Sequence, residues 1–282
     1  MKITLLGTGS PEPSVRRASS GFLVEVAGDC ILFDCGGGVF DRLIQSGRKP
    51  SDITHIFFTH LHSDHMMDYA RLVHAAWDEG GRPIAVHGPA PLAKINEKLF
   101  GADGVFATDL IARTENPGSQ EVWQSRGGSL PRPWPAPVIT EIAPGFSHAE
   151  NGWALTSAQA YHAQPQLESI AYRLDCDGRS FVYSGDTALC EEVETLARGT
   201  DLLVHWCYRL SGETVHPTIT RLSPSPADAA AMAKRAGVGR LVLTHFRNHM
   251  DTADAHASAR AELAEHFGGN ALVGEDLMVF QL

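Results

Sequence analysis

Short hydrophobic runs, each bounded by Gly, Asp or Pro, recur along the whole chain. Runs of this length with such boundaries are typical of strands. The predicted strands are Ile3–Leu6, Phe22–Val26, Cys30–Phe33, Ile53–Phe58, Ile84–His87, Val138–Ile142, Ala154–Ala160, Ile170–Leu174, Phe181–Tyr183, Leu202–Val204, Leu241–Thr244 and Leu277–Leu282.

Helical patterns lie between some of these strands. The predicted helices are Asp64–Glu79, Cys190–Ala197, Ser225–Ala236 and a last helix from Asp251 to near Gly268. Two packed sheets with helices outside satisfy this order, and we expect one domain over residues 1–282. Only the stretch 113–137, rich in Pro, Gly, Ser and charge, lacks clear periodicity. It fits a loop or lid over a binding site and, equally well, a mobile surface insertion.

Composition narrows the class of protein. The chain has 282 residues, of which 43% are hydrophobic and 20% charged, as in ordinary globular proteins. No hydrophobic run approaches the roughly 18 residues of a membrane helix, so no membrane is expected as a partner. The five cysteines form no CxxC pair and are interpreted as reduced thiols of a cytoplasmic protein. With 23 Lys and Arg against 33 Asp and Glu, the net charge of −10 speaks against nucleic acid as a partner.

The most informative segment is a histidine-rich run that follows the apolar residues 56–58. In an extended chain His60 and His62 project to the same side, so both imidazoles can bind one metal ion. Asp64 and His65 come where strand turns into helix, and can therefore point to a neighbouring position. Imidazoles with a carboxylate and no thiolate suit zinc or a similar divalent ion of a hydrolase.

Three isolated residues supply further candidate ligands. His162, Asp186 and His245 each follow an apolar strand-like run, as His60 does. In layered sheets the strand ends gather along one edge, so these distant side chains can converge on the histidine-rich run. Together the seven residues complete two metal sites.

These motifs resemble those of the metallo-β-lactamase-fold hydrolases, and specifically their ribonuclease Z and arylsulfatase-like branch. The resemblance extends from Gly7 to His245. The segments that carry it are Gly7-Thr8-Gly9-Ser10-Pro11, Phe33-Asp34-Cys35-Gly36-Gly37-Gly38, the run His60–His65, His162, Ser184-Gly185-Asp186-Thr187 and Leu243-Thr244-His245.

The resemblance implies an α+β fold, an αβ/βα four-layer sandwich, and commonly a homodimer. It implies two divalent metal ions, zinc in the first place and manganese or iron as alternatives. The implied ligands are His60, His62 and His162 for the first ion, Asp64, His65 and His245 for the second, and Asp186 as a bridge. Asp34 would orient a ligand imidazole, although a role in capping the glycine turn explains it too.

The favoured hypothesis is a binuclear metal-dependent hydrolase in which a hydroxide bridging the ions attacks a small ester. Asp64 would be catalytic, orienting that hydroxide by accepting its proton. The substrate would be a small molecule: a phosphodiester, a sulfate ester, or a lactone or carboxylic ester. The alternatives are a tRNA 3′-processing endonuclease like ribonuclease Z, and a lactonase or β-lactamase-type ring-opening enzyme. A third class, a metal protein without hydrolytic activity, would require a missing ligand or a redox ligand set.

Three departures from the ribonuclease Z pattern favour the small substrate. Only 23 residues separate His162 from Asp186, which leaves no room there for the long arm of tRNA-processing members. Trp206 stands where those enzymes have a Glu, and Leu222-Ser223-Pro224 where they have His-Ser-Thr.

Several other side chains have two interpretations each. Tyr208, His216 and His249 can protonate a leaving group or be structural. Arg209 and Arg247 can bind an anionic substrate or be solvated surface groups, and Trp123 and Trp134 can cover an apolar substrate or lie in the core.

Overall fold

The computed structural model describes residues 1–282, and two seven-stranded sheets form its centre. The first sheet contains β1 (Lys2–Gly7), β2 (Gly21–Val26), β3 (Asp29–Phe33), β4 (His55–Phe57), β5 (Ala85–Gly88), β6 (Val138–Glu141) and β14 (Val279–Gln281). The second contains β7 (Ser147–Glu150), β8 (Trp153–Ala160), β9 (Ser169–Cys176), β10 (Arg179–Tyr183), β11 (Leu202–Trp206), β12 (Leu241–Thr244) and β13 (Ala271–Val273).

Both sheets are mixed, with an antiparallel half and a parallel half. The first sheet has the order β14-β1-β2-β3-β4-β5-β6, and the strands from β3 to β6 are parallel. The second has the order β13-β12-β11-β10-β9-β8-β7, and the strands from β10 to β13 are parallel. In each sheet the parallel strands therefore end at a common edge, where loops from distant parts of the chain meet.

Ten α-helices surround the sheets. They are α1 (Val39–Gln45), α2 (Ser63–Met66), α3 (Tyr69–Asp78), α4 (Leu92–Phe100), α5 (Ala107–Glu115), α6 (Pro117–Ser125), α7 (Glu191–Leu196), α8 (Pro217–Leu222), α9 (Pro226–Arg235) and α10 (Ala253–His266). Short 3-10 helices span Pro50–Asp52 and Asn248–Met250. None of the helices combines the length and the hydrophobicity that crossing a membrane requires.

Three hydrophobic layers hold these elements together. A cluster of 21 buried residues, including Phe33 and Phe181, fills the space between the two sheets. A cluster of 18 packs α1, α3 and α4, through residues such as Leu72, on the outer face of the first sheet. A cluster of 17 packs α9 and α10, through Met232 and Leu263, on the second. The predicted αβ/βα four-layer sandwich is confirmed.

Each predicted strand has a counterpart in the structure, and β7 and β13 are additional. Both are short strands at a sheet edge, and β7 reads Ser-His-Ala-Glu, which lacks a hydrophobic face. The helix predicted over Asp64–Glu79 is two helices, because the chain turns between Met66 and Tyr69. Helices α1, α4, α5, α6 and α8 were not predicted, and α5 and α6 occupy the first half of the stretch 113–137.

Candidate active site

The loops that follow the strands bring the seven predicted ligands to one edge of the sandwich. The histidine-rich run connects β4 to α2, and His162 follows the end of β8 by two residues. Asp186 and His245 follow β10 and β12. The seven side chains form three overlapping groups in which the potential ligand atoms lie within 4.8 Å of one another.

The first group consists of three imidazoles. Nε2 of His60 is 3.1 Å from Nδ1 of His62, and Nε2 of His162 is 3.3 Å from the same atom. His60 is fully buried, and burial lowers the pKa of its imidazole well below the usual value. The ring is therefore neutral at physiological pH, which is the form that binds a metal ion.

The second group joins two imidazoles to a carboxylate. Oδ2 of Asp64 is 3.1 Å from Nε2 of His245 and 3.5 Å from Nε2 of His65. Burial by itself would raise the pKa of Asp64, but the hydrogen bond from His245 and the charges of His65 and His245 together lower it and keep the carboxyl ionised. The group is thus a compact set of oxygen and nitrogen donors.

Asp186 lies between the two groups. Its carboxylate is 3.4 Å from Nε2 of His65, 3.2 Å from Nε2 of His245 and 3.8 Å from Nε2 of His162. Burial opposes its ionisation, yet the surrounding imidazoles hold the pKa of Asp186 far below its usual value.

The buried atoms of this cluster without a hydrogen-bond partner include Nε2 of His65 and Oδ1 of Asp186. Unpaired buried polar atoms are costly, and a cation between these two atoms removes the cost. Five imidazoles with two carboxylates are also donors that zinc and similar divalent ions prefer. On both grounds the residues fit divalent metal ions.

Asp34 fixes the orientation of His65 from behind. It is fully buried, and its Oδ2 is 2.7 Å from Nδ1 of His65. The same carboxylate accepts hydrogen bonds from the backbone N–H and hydroxyl of Thr59, both at 2.8 Å, and from the hydroxyl of Tyr183 at 3.0 Å. Asp34 thus links the loops after β3 and β4 to the last residue of β10 and leaves Nε2 of His65 facing the cluster.

His245 adopts a left-handed backbone conformation, with φ of 71°. This conformation is unfavourable for residues other than glycine, and here two backbone hydrogen bonds maintain it. The carbonyl of Thr8 accepts from the N–H of His245 at 2.8 Å and from that of Phe246 at 2.9 Å. Thr8 is held in turn by Asp276, which accepts from both its backbone N–H and its hydroxyl. Thr8, in the loop between β1 and β2, therefore positions His245, which lies 237 residues later in the chain.

A cavity of about 260 Å³ opens over the cluster. One side is formed by the candidate ligands. The other is formed by residues of the loop between β1 and β2, and of β11 and α8 with the segments that follow them. Those residues are Pro11, Trp206, Tyr208, Thr218, Ile219, Leu222 and Ser223. The rings of Trp206 and Tyr208 are stacked, with centroids 5.4 Å apart and planes 22° apart. Helix α8 was not predicted from the sequence.

Of the candidate proton donors, Tyr208 lines the cavity, whereas His216 and His249 do not. The ring nitrogen of His216 accepts from the backbone of α8, and His249 is paired with Glu213. The candidate anion-binding groups are also engaged, since Arg209 is paired with Asp228 and Arg247 with Glu12.

The stretch 113–137 packs beside Trp77 of α3 and not over the cluster. The guanidinium of Arg132 is 3.8 Å from the ring centre of Trp77 and 4.4 Å from that of Trp123. Trp134 lines a separate cavity of about 140 Å³ beside Trp77. No residue of this stretch lines the cavity over the cluster.

Comparison with known proteins gives a consistent family. A model described as a β-lactamase superfamily domain matches residues 30–246. A ribonuclease Z of Mycobacterium bovis (strain BCG / Pasteur 1173P2) is 32% identical over 286 aligned positions, covering 98% of this chain and 96% of that protein. A ribonuclease Z of Mycobacterium avium (strain 104) is 33% identical, with coverage of 98% and 96%.

Solved structures show the same fold. The metallo-β-lactamase fold protein YhfI from Bacillus subtilis has a TM-score of 0.77 at 19% identity, covering 99% of both chains. The short form of human tRNase Z has a TM-score of 0.70 at 23% identity, covering 100% of this chain and 99% of that one. The predictions of fold, family and enzyme class are confirmed, whereas nothing specifically supports the arylsulfatase-like assignment.

The prediction of a small-molecule substrate without nucleic acid is contradicted by these relatives, which are ribonucleases. The relatives favour the alternative of a ribonuclease Z-like enzyme over the small-ester hypothesis. The physical error is that a net charge of −10 describes the whole surface. It does not describe the field at a cavity that binds divalent cations.

Proposed function

Because the chain belongs to the β-lactamase superfamily, in its ribonuclease Z branch, we propose that it is a metal-dependent endonuclease that cleaves RNA during tRNA 3′ processing. The observation that carries the proposal is the convergence of seven donor side chains beneath an open cavity. The chain has this cluster together with 32% identity to a ribonuclease Z over 98% of its length.

The proposal includes two divalent metal ions, zinc by the nature of the donors. His60, His62 and His162 would hold one ion, Asp64, His65 and His245 the other, and Asp186 would touch both. When bound, such ions lower the pKa of water and neutralise charge on a phosphate group. Asp64, in contact with His245, is placed to accept the proton of the attacking water.

The walls of the cavity suit an RNA chain. The stacked rings of Trp206 and Tyr208 offer an aromatic surface for a base, and such stacking contributes about 1–3 kcal/mol per base. Arg221, on the outer side of α8, is exposed and makes no ion pair, so it is free to contact a phosphate.

Proton donation to the leaving oxygen requires a different residue from the Glu and His of the family pattern. Trp206 has no proton to give at neutral pH, and Tyr208 is the remaining candidate donor that lines the cavity. Burial raises the pKa of Tyr208, so its hydroxyl is protonated at neutral pH and is a weaker acid than an exposed tyrosine. We assign leaving-group protonation to Tyr208.

A cleavage assay tests the proposal. Metal-loaded protein is incubated with a precursor tRNA that carries a 3′ extension, and products are resolved by length. We expect cleavage by the wild type and none by Asp186→Ala. Asp201→Ala should remain active, because Asp201 directly precedes β11 and contacts Ser180 at the end of β10 away from the cluster. Failure on this RNA with retained hydrolysis of bis(p-nitrophenyl) phosphate would refute the substrate. Failure on both would refute the hydrolase.

A further inference from the structure

A second group of metal-binding side chains lies outside the active-site cluster, at the opposite end of β4. It consists of His55, His148 and Glu150, whose potential ligand atoms lie within 4.8 Å of one another. Oε2 of Glu150 is 3.1 Å from Nε2 of His55 and 3.2 Å from Nε2 of His148. Two imidazole nitrogens thus converge on one carboxylate oxygen.

The three residues come from both sheets. His55 begins β4 in the middle of the first sheet, whereas His148 and Glu150 are on β7, the edge strand of the second. His148 and Glu150 are two positions apart, so their side chains lie on the same side of the strand. Strand β7 pairs only with β8. The group therefore joins a sheet edge to the opposite layer.

The surroundings orient His55 as a ligand. Its Nδ1 is 2.8 Å from the hydroxyl oxygen of Thr54, and that hydroxyl can donate to the carbonyl of Cys30 at 3.2 Å. When the Thr54 hydroxyl donates to Cys30, Nδ1 of His55 carries the ring proton and Nε2 can bind a cation; in the other tautomer Nε2 donates to Glu150. A hydrogen-bond partner on the second ring nitrogen, as Thr54 provides on Nδ1, is usual for metal-binding histidines.

A further histidine and an opening to solvent complete the arrangement. His87 is buried, its Nδ1 has no hydrogen-bond partner, and its ring centre is 5.6 Å from that of His148. The side chains of His148 and Glu150 are 30% and 43% exposed, so an ion can enter from solvent.

We propose that His55, His148 and Glu150 bind a divalent transition-metal ion that fastens β7 to the opposite sheet. Two imidazoles and one carboxylate are a frequent zinc ligand set, and the ring of His87 lies beside that of His148. The site would stabilise a short, polar edge strand that has little hydrophobic contact of its own. The proposal does not depend on the substrate of the active site.

Equilibrium dialysis of metal-stripped protein against zinc tests the site. We expect His148→Ala and Glu150→Gln to bind one equivalent less than the wild type while hydrolysing bis(p-nitrophenyl) phosphate at the wild-type rate. His266→Ala, a histidine of α10 outside both groups, should bind the full number. Equal stoichiometry in all four proteins would overturn the proposal and leave Glu150 as a hydrogen-bond acceptor only.

Amide hydrogen exchange shows which segment the additional zinc ion stabilises. Zinc should slow amide exchange in residues 147–150 of the wild type and of His266→Ala, but not of His148→Ala. If zinc protects only the loops around the active-site cluster, the additional ion is bound elsewhere and the proposed site is wrong. Both side chains on β7 are partly exposed, so these variants are expected to fold.

Discussion

Replacing Asp34 by asparagine tests how the buried carboxylate supports the metal centre. The substitution changes little in size but removes the charge beside Nδ1 of His65, 2.7 Å away. The wild-type carboxylate also accepts two hydrogen bonds from Thr59 and one from Tyr183. In the variant these donors compete for a single amide oxygen, and the new amide N–H groups face other donors.

Two separate losses follow from this geometry. Removing the outer partner of a metal-binding histidine weakens metal binding by about 10- to 100-fold, which is roughly 1.4–2.7 kcal/mol. Disrupting a fully buried charged pair also costs about 3 kcal/mol of folding stability. We therefore expect Asp34→Asn to bind zinc at least tenfold more weakly and to unfold at lower denaturant concentration.

Zinc affinity is measured by competition with a chromogenic chelator, and stability by urea unfolding of the metal-free protein. The matched control is Asp201→Asn, which removes a half-buried carboxylate that accepts from the backbone of Ser180 at 2.8 Å, remote from the cluster. It should lose stability and keep its zinc affinity. A wild-type zinc affinity in Asp34→Asn, with lowered stability, would show that Asp34 serves the fold alone.

Three further predictions concern other parts of the molecule. Gly36→Ala should lower the free energy of unfolding and the zinc content, because a Cβ at position 36 would lie 2.0 Å from the carbonyl oxygen of Asp64. At Gly37 the nearest atom to an added Cβ is 3.9 Å away, so Gly37→Ala should behave as the wild type in unfolding and metal analysis. Glu25 has a pKa below its ordinary value of 4.5, since two paired cations outweigh burial. The ionised Glu25 contributes about 1 kcal/mol to folding stability. This contribution is present above pH 4.5 and is lost as the pH falls through the lowered pKa. Glu25→Gln should therefore be less stable than the wild type in urea at neutral pH and equal to it in strong acid, and a difference independent of pH would contradict this. Tyr208→Phe should slow RNA cleavage by about 100-fold. It should leave the zinc content and the hydrolysis of bis(p-nitrophenyl) phosphate unchanged, because p-nitrophenolate leaves without a proton. Equal slowing of both reactions would exclude Tyr208 as the proton donor.

The local pattern of residues was enough to predict the elements that carry the site. Hydrophobic runs of strand length mark the strands of both sheets, because each must bury side chains between two layers. The ligands His60 and His62 could be paired from their spacing, since alternation along an extended chain is a local property. His162, Asp186 and His245 could be added because each follows such a run.

Only the tertiary structure decided how these parts meet. The four hydrogen bonds of Asp34, the hold of Thr8 on His245, and the wall that α8 forms over the cavity join segments far apart in sequence. The same is true of His55 and Glu150, which belong to different sheets. Such pairings depend on the order of the strands and on how the two sheets pack face to face. The periodicity of hydrophobic residues along the chain determines neither. Net charge failed as a guide to the substrate for a related reason, because it sums over a surface whose local fields depend on the fold.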